Sequence, residues 1–393
     1  MKVYLDNSAT TSMDKRVLES MLPYMCDVYG NASSLHFFGR EAASAVDEAR
    51  ATLANLIGAK ASEIYVTSGG TESDNWALRG VMEANKKNGK HLITTVIEHP
   101  AMIQTCKQLE REGYEVTYVG VDSDGRVSLD DIENAVRDDT VMISVMFANN
   151  EMGAIQPIKE IGAFCKENGI IFHTDAVQAM GSIKIDVNEY NIDLLSLSAH
   201  KFHGPKGIGL LYVRSGVRIN KLIYGGHQER SYRPGTTNTA GIVGMAKALS
   251  IAVEEMEENN KKVKFLRDRF IDGVLARISD CKLNGGREHR LVSNANFSFA
   301  YIEGESILMT LDLNGIAVSS GSACSSGSLE PSYVILATGA EIEEAHSSIR
   351  FSFGKDNTVE EVDYVLDTLV QTIEKLRSWS PLFKQQKGES YNV

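Results

Sequence analysis

A chain of 393 residues, 43% hydrophobic and 23% charged, is ordinary for a water-soluble protein and long enough for more than one core-bearing domain. Its formal net charge of −12 argues against direct contact with bare nucleic acid or an anionic membrane surface. The five cysteines, Cys26, Cys106, Cys165, Cys281 and Cys324, are odd in number and widely spaced, with no CxxC pair or Cys/His cluster; this speaks against a disulfide framework or a structural metal site and for a reducing compartment.

The opening segment, MKVYLDNSATT, is too polar for a secretory leader, and no apolar stretch approaches the ~20 residues of a membrane span. The expectation is a soluble, cytoplasmic protein. From about residue 14 to 258, short apolar runs alternate with amphipathic stretches. IYVTSGG, LITTV, VTYVGV, VMISVMFA, IIFHTDA and DLLSLSA are near-continuous, which predicts strands buried on both faces. Residues 71–85, 100–112, 129–136 and 158–168 predict the helices between them. Strand–helix–strand repeats imply right-handed crossovers and a mainly parallel sheet, with ligands gathering beyond the carboxyl ends of the strands. Gly69, Asp175 and Ser198 fall at such ends.

After about Glu258 the character changes. ENNKKVKF opens a charged helix; NANFSFAYI reads as a strand, GESILMTLDLNG as a helix stopping near Gly315, and SSIRFSFG as a strand, with a last helix over about 358–377. The expected architecture is therefore α/β. A large domain spans 14–258, and a smaller α/β domain is built from 1–13 and 259–378. The tail, 379–393, is expected to fray.

EIYVTSGGTESDNWALRG reads as strand, glycine turn and helix. Gly69 and Gly70 let the backbone approach an anion, Thr71 is the expected cap, and the helix N-terminus favours a phosphate. Alone, this pattern is more often an ordinary cap. Ser198 and His200, beside Lys201 in SLSAHK, add phosphate donors. Asp175, in HTDAVQ, ends an apolar run. A lysine amine that forms a Schiff base with an aldehyde, and an acid that keeps a pyridine nitrogen protonated, have the sequence shape of a pyridoxal phosphate (PLP) site. The plainer reading of Asp175 is a turn or cap residue. Gln178, three residues on, reaches the cofactor's phenolic oxygen if the segment turns helically. His99, at a turn marked by Pro100, is either a satisfied loop residue or an imidazole that stacks on the cofactor and shuttles protons. Lys206, in the turn-rich GPKG, is the rival to Lys201 and reads as structural.

Cys26, Cys106, Cys165 and Cys281 read as small core hydrophobes. Cys324, inside SSGSACSSGS, is expected on an exposed, mobile loop with its thiol open to partners.

Blocks spread over nearly the whole chain now add up: YLDNSATT, YGNASSLH, TSGGTESDN, EHPA, NNEMGAIQ, HTDAVQ, SLSAHKFHGPKGIG, GGHQERSYRPGTTN, SGSACSSGSLEPS and SSIRFSFG. Together they resemble class V aminotransferase-like PLP enzymes, specifically cysteine desulfurases of the NifS/IscS type. The resemblance implies fold type I, a homodimer with active sites near the interface, PLP on Lys201 and L-cysteine as substrate. It implies phosphate contacts from Gly70, Thr71, Ser198 and His200, and ring contacts from Asp175, Gln178 and His99. It further implies carboxylate or cofactor contacts from Asn150 and Arg350, and a cross-subunit phosphate contact from Thr236. Pro234 and Thr237 depart from the family's usual residues in RPGTTN, while Thr236 is kept. Cys324 becomes the catalytic thiol, alongside Lys201 and His99, taking sulfur as a persulfide for an acceptor such as an iron–sulfur scaffold protein. Alternatives are a selenocysteine lyase, an aminotransferase on the same scaffold, or a non-enzymatic sulfur carrier that presents Cys324 and needs no PLP.

Overall fold

The computed structural model describes residues 1–320 and 330–386. A two-residue strand, β1 (Val3–Tyr4), precedes α1 (Lys15–Cys26), which Asp14 caps by accepting from the Arg16 N–H. In α2 (Phe37–Leu56), Ala42, Ala45, Val46, Ala49 and Leu53 recur at helical spacing and are buried. The alternating section follows in chain order: β2 (Ile64–Thr67), α3 (Gly70–Ala84), β3 (His91–Thr95), α4 (Pro100–Arg111), β4 (Glu115–Val119) and α5 (Leu129–Ala135). It continues through β5 (Thr140–Ser144), α6 (Ile158–Asn168), β6 (Ile171–Asp175), β7 (Leu194–Ser198) and β8 (Gly209–Val213).

These strands form one seven-stranded sheet in the order β2-β8-β7-β6-β5-β3-β4. The run from β7 to β4 is parallel, while β8 lies antiparallel to both β7 and β2. The reversal has a simple cause: only residues 199–208 join β7 to β8, too few for the crossover that a parallel neighbour requires. The apolar runs are buried as expected except VTYVGV. It forms the edge strand β4, whose outer side no neighbour covers, and is only half-buried.

Helices α7 (Thr239–Glu254) and α8 (Met256–Arg277) lead to a second unit. There β9 (Cys281–Leu283), β10 (Asn294–Phe299), α9 (Gly304–Leu313), β11 (Ile316–Ala317) and β12 (Ser319–Ser320) precede the undescribed stretch. After it come α10 (Tyr333–Ala337), α11 (Ile342–His346), β13 (Ser348–Ser352), α12 (Val359–Trp379) and α13 (Pro381–Gln386). An antiparallel sheet in the order β12-β13-β10-β9 carries Phe297 and Phe351, which pack on Phe270 of α8 with ring centroids 6.4 and 4.7 Å away. Burial of each such ring contributes about 1.5–3 kcal/mol.

Val3 and Leu5 enter this second core, and β1 pairs with β11, so the N-terminal segment does pack on the smaller unit. The start of the tail is helical rather than frayed. Phe383 lies 5.6 Å from the Tyr301 ring and under the Arg377 guanidinium, which gives α13 an apolar anchor. No helix among the described residues is long and apolar enough to cross a membrane.

Candidate active site

Three chain segments converge at the carboxyl ends of β2, β6 and β7. The first is the α3 N-terminus. Gly69, not Thr71, occupies its cap, with φ of 155°, a conformation that only glycine adopts without strain. Thr71 is the second helical residue, so it offers a backbone N–H instead of a cap. A Cβ on Gly69 would meet only the Ser198 hydroxyl oxygen, at 3.6 Å, so the backbone lies open where an anion would approach.

The second is the end of β6. Asp175 is buried, and its Oδ1 accepts the Val177 N–H at 2.9 Å. It is thus the turn residue that the plainer reading foresaw and also a buried acid. Burial raises its pKa, while His99, the Val177 N–H and Lys201 pull the other way. The chain then turns, with the Met180 N–H bonded to the Ala176 carbonyl, and the Gln178 side-chain amide donates to the Ser8 carbonyl at 2.9 Å.

The third is the turn after β7. Lys201 Nζ is half-buried and donates to the backbone carbonyls of Ser8 and Ala9, the latter at 2.9 Å. His200 Nδ1 lies 3.1 Å from the Thr10 hydroxyl, and burial, followed by the fields of Lys201 and Lys206, holds its pKa at about 4. Lys206 is exposed.

His99 caps α4: its Nδ1 accepts the Ala101 N–H at 3.2 Å, with Pro100 at the first helical position. A neutral ring that accepts at Nδ1 carries its proton on Nε2. Burial favours that neutral form by lowering the pKa.

Arg350, on β13, is buried. Its two terminal nitrogens donate to the Asn150 carbonyl at 3.0 Å and the Asp6 carboxylate at 2.8 Å, while its Nε–H has no partner among the described residues. Thr236 is not brought to Lys201 within one chain. It lines a separate cleft with Val66, Ser68, Gln228 and Arg233. The loop leading to it holds Glu229, Arg230 and Ser231 at positive φ (46°, 56°, 69°), pinned by the Arg50–Glu229 ion pair at 2.6 Å and by Arg230 over the Tyr65 ring at 4.2 Å. Cys324 lies outside the described residues. Cys106 and Cys165 are buried as expected, but Cys26 is exposed at the end of α1.

Sequence reasoning overlooked the buried acids beneath the site. Asp74 is buried and lies 3.9 Å from His173 Nε2. Burial, then the neighbouring Asp175, pushes its pKa well up. Burial lowers His173 to about 3 and raises Glu151 to about 7. Glu98 Oε1 accepts from the Thr95 hydroxyl at 2.7 Å and the Met146 N–H at 2.9 Å; burial raises its pKa to about 8. A carboxyl whose folded pKa exceeds its unfolded value of about 4.3 contributes stability that is complete below that value and lost as pH rises through the folded pKa. Glu98→Gln is therefore expected to flatten the fall in stability between about pH 5 and pH 8, by about 1–3 kcal/mol at the alkaline end. Urea unfolding across that range measures it, and a slope equal to the parent's would mean that Glu98 ionises normally. Glu98 and Glu151 follow apolar runs, where an acid reads as a turn residue, and Asp74 sits among polar residues at the start of α3, where an acid reads as solvated.

A class-V aminotransferase family model matches residues 3–365. A Clostridium botulinum protein named cysteine desulfurase IscS is 54% identical over 385 residues, covering 98% of this chain and 97% of its own. A solved structure named NifS-like protein superposes with a TM-score of 0.90 at 41% identity, covering 96% of this chain and 100% of that one. Another, described as SspA in complex with cysteine, reaches 0.81 at 36% identity over 91% and 100%. The large mainly parallel sheet and smaller α/β unit match fold type I. Agreement in sequence and architecture over nearly the full length means that the chain belongs to the class-V aminotransferase family, on the branch of the NifS- and IscS-type proteins.

Proposed function

We propose that this protein is a cysteine desulfurase: it removes sulfur from L-cysteine, releases L-alanine, and leaves a persulfide on Cys324 for an acceptor protein, with iron–sulfur cluster assembly as the destination. The carrying observation is that Lys201, Asp175 and His99 meet at the open N-terminus of α3 in a chain whose relatives bear that name. The reaction balances internally. The substrate's C–S bond breaks, its sulfur joins the Cys324 sulfur, and the electron pair left on carbon takes up a proton as alanine forms.

The residues present suit PLP. Lys201 would carry it; the N–H groups of Gly70 and Thr71, with Ser198 and His200, would hold its phosphate. Asp175, Gln178 and His99 would face its ring. A cationic ring nitrogen is the partner that restores the charge of a carboxyl buried as deeply as Asp175. When bound, PLP supplies an electron sink for charge developing at the substrate's Cα.

The rest falls to the chain. The Lys201 amine takes the Cα proton, and the Nε2–H of His99 donates toward the reacting groups. Arg350 receives the substrate carboxylate beside Asn150. Because its terminal nitrogens already hold the Asn150 carbonyl and Asp6, the guanidinium is oriented before substrate arrives. Arg350→Lys is expected to raise KM for L-cysteine about tenfold or more while cofactor content stays unchanged, since an ammonium lacks the planar fork. A titration with L-cysteine that matched the parent would remove Arg350 from substrate binding.

Thr236 would reach the phosphate of a partner's site in a homodimer. The exposed rings of Tyr29, Phe37 and Phe38, tilted against one another with centroids 4.0–5.5 Å apart, supply apolar surface for that association. A reducing cytoplasm keeps the Cys324 thiol available. Incubation with L-[35S]cysteine tests the whole reading: one labelled sulfur on Cys324 for each alanine released supports it, and a keto-acid product in place of alanine would identify a transaminase instead.

A further inference from the structure

Glu151 is a buried acid. It sits in the turn after β5, directly beside Asn150. Its N–H donates to Asn149 Oδ1 at 2.8 Å, and its carbonyl accepts from the side-chain amides of Asn294 and Asn296, each at 3.1 Å. Its carboxyl accepts the Ser332 hydroxyl at 2.5 Å. Ser332 is itself buried and caps α10 by accepting the Ile335 N–H at 3.1 Å. The next residue, Tyr333, donates its hydroxyl to the Glu98 carbonyl at 2.5 Å, one residue before His99. Val334 and Ile335 close an apolar cluster with Ile97, Met146 and Met152. Helix α10 is thereby seated on the two strand-end turns that present His99 and Asn150.

On the other flank of the 321–329 stretch, Ser319 pairs with Arg350 across β12 and β13. Arg350 in turn donates to the Asn150 carbonyl. Both described flanks of the stretch that includes Cys324 therefore end on one seat: Ser319 at Arg350, and Ser332 at Glu151. The cap on α10 needs only the Ser332 oxygen. The added carboxyl does nothing for that cap; it ties α10 to the turn.

We propose that Glu151 is a positioning residue for sulfur transfer: its carboxyl fastens the start of α10 to the Asn150 turn, so that the Cys324 stretch is anchored downstream to the place where the substrate carboxylate is held. The proposal rests on the reading of Cys324 as the sulfur-accepting thiol. It assigns Glu151 to the placement of that thiol and not to substrate affinity.

The test uses the holoenzyme. Glu151→Ala removes the carboxyl and leaves the Ser332 cap on α10, Asn150 and Arg350 intact. It is expected to lower kcat about tenfold with KM within about twofold, because displacement of a reacting group by an ångström costs on that order or more. Amide hydrogen exchange over residues 333–337 is expected to quicken in the same variant. Ser332→Thr and Glu151→Gln, which keep a hydroxyl donor and a carbonyl acceptor respectively, are expected to retain at least half of the parent kcat. Parent-like kcat in Glu151→Ala overturns the proposal. So does a rise in KM that accounts for the whole loss, or a loss in all three variants that merely tracks thermal stability. Cys324→Ser measured in parallel separates the two levels. If that variant keeps turning over, the reading of Cys324 fails, while exchange over α10 still decides whether the Ser332–Glu151 tie holds the helix.

Discussion

Lys201→Ala is expected to bind PLP without the visible absorption of a lysine-bound aldehyde, and to release alanine from L-cysteine at least about 10³-fold more slowly. Two functions are lost with one amine: the point of covalent attachment and the base for the Cα proton. The location of the amine explains why no neighbour substitutes for it. Lys201 Nζ is half-buried against the Ser8 and Ala9 carbonyls, in the field of Asp175 and His99. Lys206 is exposed in its turn and lines a different cleft with Lys2, Tyr4 and Thr10. An absorption spectrum and an alanine assay on the same preparation check this. A visible band identical to the parent's would transfer the attachment to Lys206.

Cys324→Ser is expected to keep the cofactor's colour and its binding of L-cysteine, while persulfide and alanine output fall about 10³-fold. A hydroxyl is far less ionised than a thiol near neutral pH and does not accept sulfur as a persulfide. The remaining cysteines offer little relief. Cys106 and Cys165 are buried in helices with their thiol pKa values pushed up by burial, and Cys281 is half-buried with its sulfur directed at the Ile278 carbonyl. Cys26 is exposed on α1 and is the competitor to control, by Cys26→Ser alone and with Cys324→Ser. Full alanine production by Cys324→Ser would end its part in the reaction. Loss in Cys26→Ser alone would assign the thiol to α1.

Much of the scaffold was visible in the residue order because strand burial and helix periodicity are local patterns. IIFHTDA and DLLSLSA read as doubly buried strands and are β6 and β7, and residues 158–168 read as the helix that is α6. VTYVGV failed because a run of apolar residues carries no information on whether the strand has one neighbour or two. Thr71 failed as the cap by two positions, since a hydroxyl residue is the usual cap and here the helix already begins at Gly70, with Gly69 at a φ that only glycine adopts without strain. The tail failed because Leu382 and Phe383 are only a short apolar pair in a polar stretch, and the partners of Phe383, Tyr301 and Arg377, are remote in sequence or on another helix.

Lys201, Asp175 and the glycine turn stood out in the linear chain because each combines a chemical group with a local break in an apolar run. Their shared location followed from the rule that parallel strands present their carboxyl ends on one side. The roles of Asp6, Ser8 and Thr10 had no such rule behind them. They lie 344, 193 and 190 residues from Arg350, Lys201 and His200, and only the folded chain lays the N-terminal strip across those groups. The buried acids Asp74, Glu98 and Glu151 were equally silent. A carboxyl is named by its residue type, but its proton affinity is set by the water it has lost and the charges beside it, and both are properties of the packed interior.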